Sequence, residues 1–275
     1  MRSRRGLGII ALHVITWGLL VIVAAPILVV LAGAFLDSSL LGVSTERWAD
    51  VSGRGHFVHG WFGYVLNLYG GSIRFSLILA VLSVVVCVIV SVPAAYAIVG
   101  SKTRAGRVLE ELTLLPLSIP GIAMSIALIQ AYTIIRGRWW LIFAGHVLYT
   151  VPLMMRVVAN ALRSFDLERL QTAAQTLGAK RWQQFAFVVV PNLRHSIVVG
   201  SLLVFAISWG EFNVSFLLNT PLNQTYPAAL YSTYTANSFA VSSAATTIFL
   251  AVIIPVLLAL QWAGGREFTR LEQAA

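Results

Sequence analysis

One carboxylate, Glu211, stands well inside an apolar segment of the chain. A charged carboxylate in hydrocarbon costs about 3 kcal/mol on insertion scales, so it is expected to face protein or water. Such a group can line a path for a polar solute, carry a proton, or pair with a polar group of a second subunit. We predict that Glu211 and its neighbour Asn213 line a translocation path, and the paired-subunit interpretation stays open.

Two histidines, His56 and His59, are spaced as a pair of metal ligands on one helix would be. No third ligand lies nearby in the sequence, and Gly53, Gly55 and Gly60 oppose a helix there. We therefore expect no metal site at this pair.

The signatures of several enzyme classes are missing from the sequence. There is no G-x-x-x-x-G-K-[ST] loop to hold a nucleotide phosphate, and no H-E-x-x-H, C-x-x-C or G-x-S-x-G motif. The single cysteine, Cys87, supports neither a disulfide framework nor a metal cluster. The chain is thus expected to be no enzyme and to hold no cofactor, and energy for any transport must come from another subunit.

Composition indicates the elements that position these residues. Hydrophobic residues make up 58% of the chain and charged residues only 11%, against about 25% charged in a soluble domain. Segments of about 20 apolar residues can cross the bilayer. Six are predicted: Leu7–Phe35, Ser72–Val99, Leu109–Ile135, Trp139–Val158, Ser196–Leu218 and Val241–Trp262.

The basic residues predict an orientation. Placing both termini, the second connection and the region around the fourth connection, counted from Arg156 to Arg194, on one side collects 14 of the 19 Lys and Arg residues there. The positive-inside rule makes that side the cytoplasm. Because the net charge of +9 is distributed in this way, it indicates membrane topology, and we expect no nucleic acid partner.

The connection from Asp166 to Pro191, called the elbow below, contains two short amphipathic helices by its pattern. Asp166 is a predicted N-cap, and Gly178 a predicted left-handed stop. The first helix carries an apolar face of Leu167, Leu170, Ala174 and Leu177. The second is predicted to begin near Ala179, to present Trp182, Phe185, Ala186 and Val189, and to end at Pro191. The elbow should therefore expose a docking face.

The elbow resembles the cytoplasmic EAA loop of permease subunits of binding-protein-dependent type I ABC importers. The resemblance rests on Ala173-Ala174, Gly178 and the run Val188 to Pro191 at the family's spacing. It implies that the elbow meets an ATPase. Thr172 stands where the family usually has Glu, and threonine carries no charge for the salt bridge that this Glu would form with the ATPase.

A shorter resemblance lies at Gly210-Glu211-Phe212, which is similar to a turn in the fifth helix of permeases for oxyanions, iron, thiamine, polyamines and phosphonates. In the third segment, Pro116, Pro120 and Gly121 predict a bend. A bend suits a gate and a static kink equally well.

Together these features predict an all-α integral membrane protein with six transmembrane helices and the type I ABC importer permease fold. Residues 1–71 would hold the first helix and an extracytoplasmic segment, and residues 72–275 the core domain with the coupling loop 159–195. The resemblance implies a cytoplasmic ATPase dimer, a second permease, an extracytoplasmic solute-binding protein and the bacterial inner membrane, with both termini cytoplasmic. The alternatives are a proton-coupled secondary carrier that uses Glu211, and a scaffold subunit without a transport path.

Overall fold

The structure is a computed structural model, and it describes residues 2–35, 60–101, 103–164, 167–236 and 239–274. Every regular element in these ranges is helical. The α-helices are α1 Arg2–Phe35, α2 Gly60–Ser101, α3 Arg104–Thr113, α4 Leu115–Ser118, α5 Gly121–Ala131, α6 Trp139–Ser164, α7 Leu167–Thr176, α8 Arg181–Gln183, α9 Val190–Trp209, α10 Asn213–Leu218, α11 Tyr226–Ala236 and α12 Phe239–Ala274. A 3₁₀ turn covers Thr133–Ile135 and a π-helical segment covers Gln184–Val189. The predicted Asp166 cap and the pair His56 and His59 lie outside the described residues.

Five helical stretches in the described part are long and apolar enough to cross a membrane: Leu12–Phe35, Trp61–Ser101, Trp139–Ser164, Arg181–Trp209 and Phe239–Gly264. A sixth forms when Arg104–Ser118 and Gly121–Ala131 are counted as one span with a bend of 100°. The all-α class is confirmed, and the count of six holds with the bent pair as one span.

The bend has a local cause at the residue before a proline. Ile119 is extended, with φ −91° and ψ 125°, and Pro120 precedes the first turn of α5. Proline disfavours the helical region for the residue before it, so the helix stops at Ser118. The predicted bend is present.

One predicted span is wrong in its form. The segment Ser196–Leu218 is two helices, because α9 ends at Trp209 and α10 begins at Asn213. Gly210 closes α9, and its N–H donates to the carbonyl of Ala206 at 3.1 Å. Apolar composition alone did not reveal this break, since Val214 to Leu218 continue the hydrophobic run.

Close packing divides the chain into two compact units. The first contains Met1–Gly70 and Leu230–Ala251. Its core is built from Trp61 and Val65 of α2 with alanines of α12. Gly33 lies against Phe239 and Ser243, so closely that any side chain there would collide with them. Small residues let membrane helices approach in this way.

The second unit contains Gly71–Ala229 and Val252–Ala275. One of its cores joins α2, α6 and α9 through Cys87, Met154, Val158, Leu193 and Val204. The other joins α2, α5, α6 and α10, and its buried members are Leu79, Met124, Leu128, Leu141, Ile142, Val214 and Leu218. This unit positions both the elbow and Glu211. The predicted division at residues 71 and 72 stays a prediction.

Candidate functional site

The first elbow helix, α7, ends in a Schellman motif. The N–H of Gly178 donates to the carbonyl of Gln175 at 2.9 Å, and the N–H of Ala179 donates to that of Ala174 at 3.0 Å. Gly178 has φ +80°. The two bonds satisfy carbonyls that a helix end leaves without partners, and the positive φ is what closes the motif. The predicted left-handed stop at Gly178 is confirmed.

The apolar residues of the elbow divide into an inward and an outward set. Ala174 is buried and Leu170 is half-buried, whereas Leu177 is 87% exposed. Trp182 and Phe187 are 60% and 68% exposed, and their rings lie 5.9 Å apart. Three large apolar side chains therefore project from the elbow, which is the form a docking face takes.

The remaining predicted elbow residues lie around this face. Thr172, Ala173 and Pro191 are exposed, and nothing is described of the side chain of Leu167.

Polar residues that the sequence pattern did not single out attach the elbow to the membrane helices. The side-chain amide of Gln171 donates to the hydroxyl of Tyr96 on α2 at 2.7 Å. The ring of Tyr96 lies 5.1 Å from that of Phe185. Gln184, buried, donates through its amide to the carbonyl of Ala179 at 2.7 Å. The elbow is thus held to α2 and to the start of the next span by directional contacts.

The predicted end of the second elbow helix at Pro191 is wrong. The helix passes through Pro191 and continues as one span from Arg181 to Trp209. The turns before the proline are π-helical, and the N–H of Val190 donates to the carbonyl of Phe185. The side-chain amide of Asn192 donates to the carbonyl of Val188 at 2.7 Å. Wider turns accommodate a residue that lacks an N–H, so the proline causes no stop.

Two helix breaks lie against each other in the second unit. Gly121, the first residue of α5, is so close to Asn213, the first residue of α10, that a Cβ at Gly121 would lie 2.6 Å from the Cβ of Asn213. The hydroxyl of Ser125 is 3.0 Å from the carbonyl oxygen of Val214 and 2.9 Å from that of Gly121. On α6, the hydroxyl of Tyr149 donates to the carbonyl of Ile119 at the first break. We call this region the paired breaks.

Glu211 lies at the second break and caps α10. Its Oε1 accepts a hydrogen bond from the N–H of Val214 at 2.6 Å. A carboxylate at a helix N-terminus satisfies a free donor and interacts favourably with the helix dipole. Glu211 is half-buried and Asn213 exposed. The structure therefore gives Glu211 a positioning contact at the place where sequence predicted a path.

A buried histidine, which sequence reasoning missed, ties α6 to both sides of the second break. His146 Nδ1 lies 2.8 Å from the hydroxyl of Ser208 on α9, and Nε2 lies 2.9 Å from that of Ser215 on α10. The Ser208 hydroxyl is also 3.4 Å from that of Ser83 on α2. A polar network in an apolar core fixes one arrangement of its helices, because any other leaves polar groups unsatisfied. Within the described ranges, no three His, Cys, Asp or Glu residues lie together as metal ligands.

Comparison with known proteins gives consistent findings. Residues 88–266 match the family model described as binding-protein-dependent transport system inner membrane component. The chain is 42% identical over 84 residues to the molybdenum transport system permease protein ModB of Escherichia coli K12, a match that covers 30% of this chain and 36% of that relative. It is 23% identical over 241 residues to the spermidine/putrescine transport system permease protein PotC of the same strain, covering 86% and 87%. The chain therefore spans only about a third of ModB but most of PotC.

Two solved structures have the same fold. One is the MetNI methionine ABC transporter in inward-facing conformations, with a TM-score of 0.63, 14% identity, and coverage of 72% of this chain and 95% of that one. The other is a bacterial ABC transporter that imports alginate, with a TM-score of 0.59, 15% identity, and coverage of 94% and 98%. At these identities the likeness concerns the fold.

Proposed function

The chain belongs to the family of binding-protein-dependent transport system inner membrane components, and we propose that it is the permease subunit of an ABC importer whose elbow docks on the ATPase. As a multi-pass inner-membrane protein it would form half of a translocation pathway. A second permease, identical or related, would form the other half, and an extracytoplasmic binding protein would deliver the solute.

The observation that carries this proposal is the build of the elbow. Three of its large apolar side chains, Leu177, Trp182 and Phe187, are exposed, while Gln171 bonds to α2 and Gln184 bonds within the elbow. A partner can bind a surface of this kind while the elbow stays folded. A movement of the partner would then pass to α2 and α9 through the anchoring contacts. Both termini and the elbow would lie in the cytoplasm, where ATP is bound.

The paired breaks would form part of the solute path. Discontinuous helices near the middle of a membrane are typical of transporter binding sites. The substrate would be a small polar solute, of the polyamine, phosphonate, iron or thiamine class by the Gly-Glu-Phe turn. Relatives named for molybdenum and for spermidine or putrescine support a small solute. The family match favours a permease over a proton-coupled carrier.

The test is a change of the exposed elbow face. Leu177→Asp and Trp182→Asp should leave the chain in the membrane but prevent the ATPase from co-purifying with it, because a charge would replace a buried apolar contact in the complex. Leu222→Asp is the matched control, since Leu222 is 98% exposed in the turn between α10 and α11. Normal co-purification of the ATPase with both elbow variants would contradict the proposal.

A further inference from the structure

Helix α3 is oriented opposite to an amphipathic helix of a soluble protein. Its apolar residues Val108, Leu109 and Leu112 are each at least half exposed. Its polar residues Arg107, Glu110 and Glu111 line an open cleft against α6, where Glu110 is half-buried and the other two are exposed. This arrangement suits a helix whose apolar face meets apolar surroundings and whose polar face meets water.

The cleft has a volume of about 270 Å³. From α6 it is lined by Pro152, Met155, Arg156, Asn160 and Arg163. Pro152, Arg156, Asn160 and Arg163 lie three or four residues apart and so share one face of that helix, with Met155 at its edge. Arg163 is paired with Glu110 across the cleft. The two charges of that pair neutralise each other, and the ion pair joins α3 to α6.

The remaining charges leave the cleft positive. They are Arg107 and Arg156 against the single carboxylate of Glu111. Within the part of the chain that the structure describes, neither of these arginines forms a salt bridge, and Arg156 is exposed. Asn160 adds an amide that can donate a hydrogen bond.

The position of Arg156 makes its lack of a salt bridge informative. It lies two residues before the end of the predicted span at Val158 and eight residues before the end of α6 at Ser164. A guanidinium near the end of a membrane span is favourable where it meets water or a counter-charge, because transfer to hydrocarbon is costly. Arg156 is exposed at the cleft, and a bound anion would supply the counter-charge.

We propose that this cleft binds an oxyanion group, held by Arg156 and Arg107 with Asn160 as a hydrogen-bond donor. The planar guanidinium fork suits two oxygens of a phosphate-like group. The group is either that of a free solute or that of an anionic lipid headgroup. The cleft would open to the cytoplasm, and only this part of the inference rests on the proposed function.

The test measures the local potential and its response to ligand. A single cysteine is placed in the cleft as Thr113→Cys in a Cys87→Ser background, in the full chain held in nanodiscs of phosphatidylcholine. Its reaction rates with the anionic 2-sulfonatoethyl and the cationic 2-(trimethylammonium)ethyl methanethiosulfonates are compared with those of Gln175→Cys on the elbow. The anionic-to-cationic rate ratio should be about tenfold higher in the cleft, as expected for about one unit charge roughly 10 Å away in a partly hydrated site. Arg156→Gln should abolish most of this difference.

Binding is then read as protection. Inorganic phosphate, added at constant ionic strength, should slow modification at position 113 several-fold if the site takes a free oxyanion. Protection only by phosphatidylglycerol in the nanodisc would assign the site to a lipid headgroup. Arg156→Gln should remove either protection and Arg156→Lys should retain part of it. Arg104→Gln, one turn before Arg107 on the same helix and outside the cleft, should change neither.

Equal rate ratios at positions 113 and 175, or protection by neither phosphate nor phosphatidylglycerol, would overturn the proposal. Should Arg156→Gln fail to insert, Arg107→Gln serves the same comparison. Neither the ATPase nor a binding protein is needed, so a failure here is independent of a failure of the elbow to dock.

Discussion

The Gly178→Val variant tests the elbow through backbone conformation alone. Gly178 has φ +80°, and a Cβ built there would meet no atom within 4 Å. The penalty is therefore backbone strain without a steric clash, roughly 1–2 kcal/mol for a residue with a Cβ in the left-handed region. Since 1.4 kcal/mol is a factor of ten, the equilibrium constant for closing the elbow should fall about 5- to 30-fold.

The assay is reconstitution of the variant with its ATPase and binding protein in proteoliposomes. Solute uptake should fall by up to that factor while the amount of chain in the membrane stays normal. The ATPase should either dissociate or hydrolyse ATP without responding to the binding protein, because the Schellman bonds that set the angle between α7 and the next helix are weakened.

Two variants separate strain at the elbow from strain in general. Gly178→Asn should retain most uptake, since asparagine tolerates the left-handed region. Gly137→Val introduces a comparable strain at φ +79° before the other end of α6, and should leave hydrolysis responsive to the binding protein. Normal uptake and stimulated hydrolysis in Gly178→Val would refute the reasoning and remove the elbow as the coupling element.

Three further outcomes are expected. Glu211→Gln should keep the complex assembled, because a side-chain oxygen can still cap α10, and it should change uptake if the residue lines the path. Dissociation of the complex would favour the paired-subunit interpretation. Unaltered uptake kinetics would exclude a role for Glu211 in the path. His146→Ala leaves the hydroxyls of two serines without their partner and should lower stability by about 1–3 kcal/mol, read as a lower thermal midpoint; an unchanged midpoint would show that the network is not stabilising. In two variants with a single cysteine each, the cysteine at position 223 should react with an impermeant thiol reagent in intact cells, and the cysteine at position 175 should not. Labelling at position 175 would contradict the cytoplasmic elbow.

Sequence reasoning succeeded where a local signal is strong. Six apolar segments follow from length and composition, and the stop at Gly178 follows from the one residue type that accepts its conformation without strain. The bend between Ser118 and Gly121 follows from Pro120 acting on the residue before it. Each of these features depends on residues that are neighbours in the sequence, so a single sequence was enough to predict it.

The sequence pattern failed where the local backbone departs from the regular α-helix and where distant residues meet. Pro191 is a helix stop by local rules, but π-helical turns and Asn192 accommodate it within a span. His146 meets serines 62 and 69 residues away, so no spacing rule could have identified it. Glu211 was recognised as unusual, yet its hydrogen bond to Val214 required a break in the fifth span that hydropathy does not show.

Helix α6 links the candidate regions and gives the importer proposal a mechanical basis. It ends at Ser164, three residues before the first elbow helix begins. Arg156 in the cleft lies about 12 Å from that end, and Tyr149, which holds the first break, lies about 22 Å from it. We expect a shift imposed at the elbow end of α6 to reach the cleft before the first break, because both lie along this one helix. Pro152 lies inside α6 between Tyr149 and Arg156 and interrupts the hydrogen-bond ladder there. The helix is therefore expected to bend between the cleft and the first break, which makes the movement of the cleft the more direct readout of a movement at the elbow.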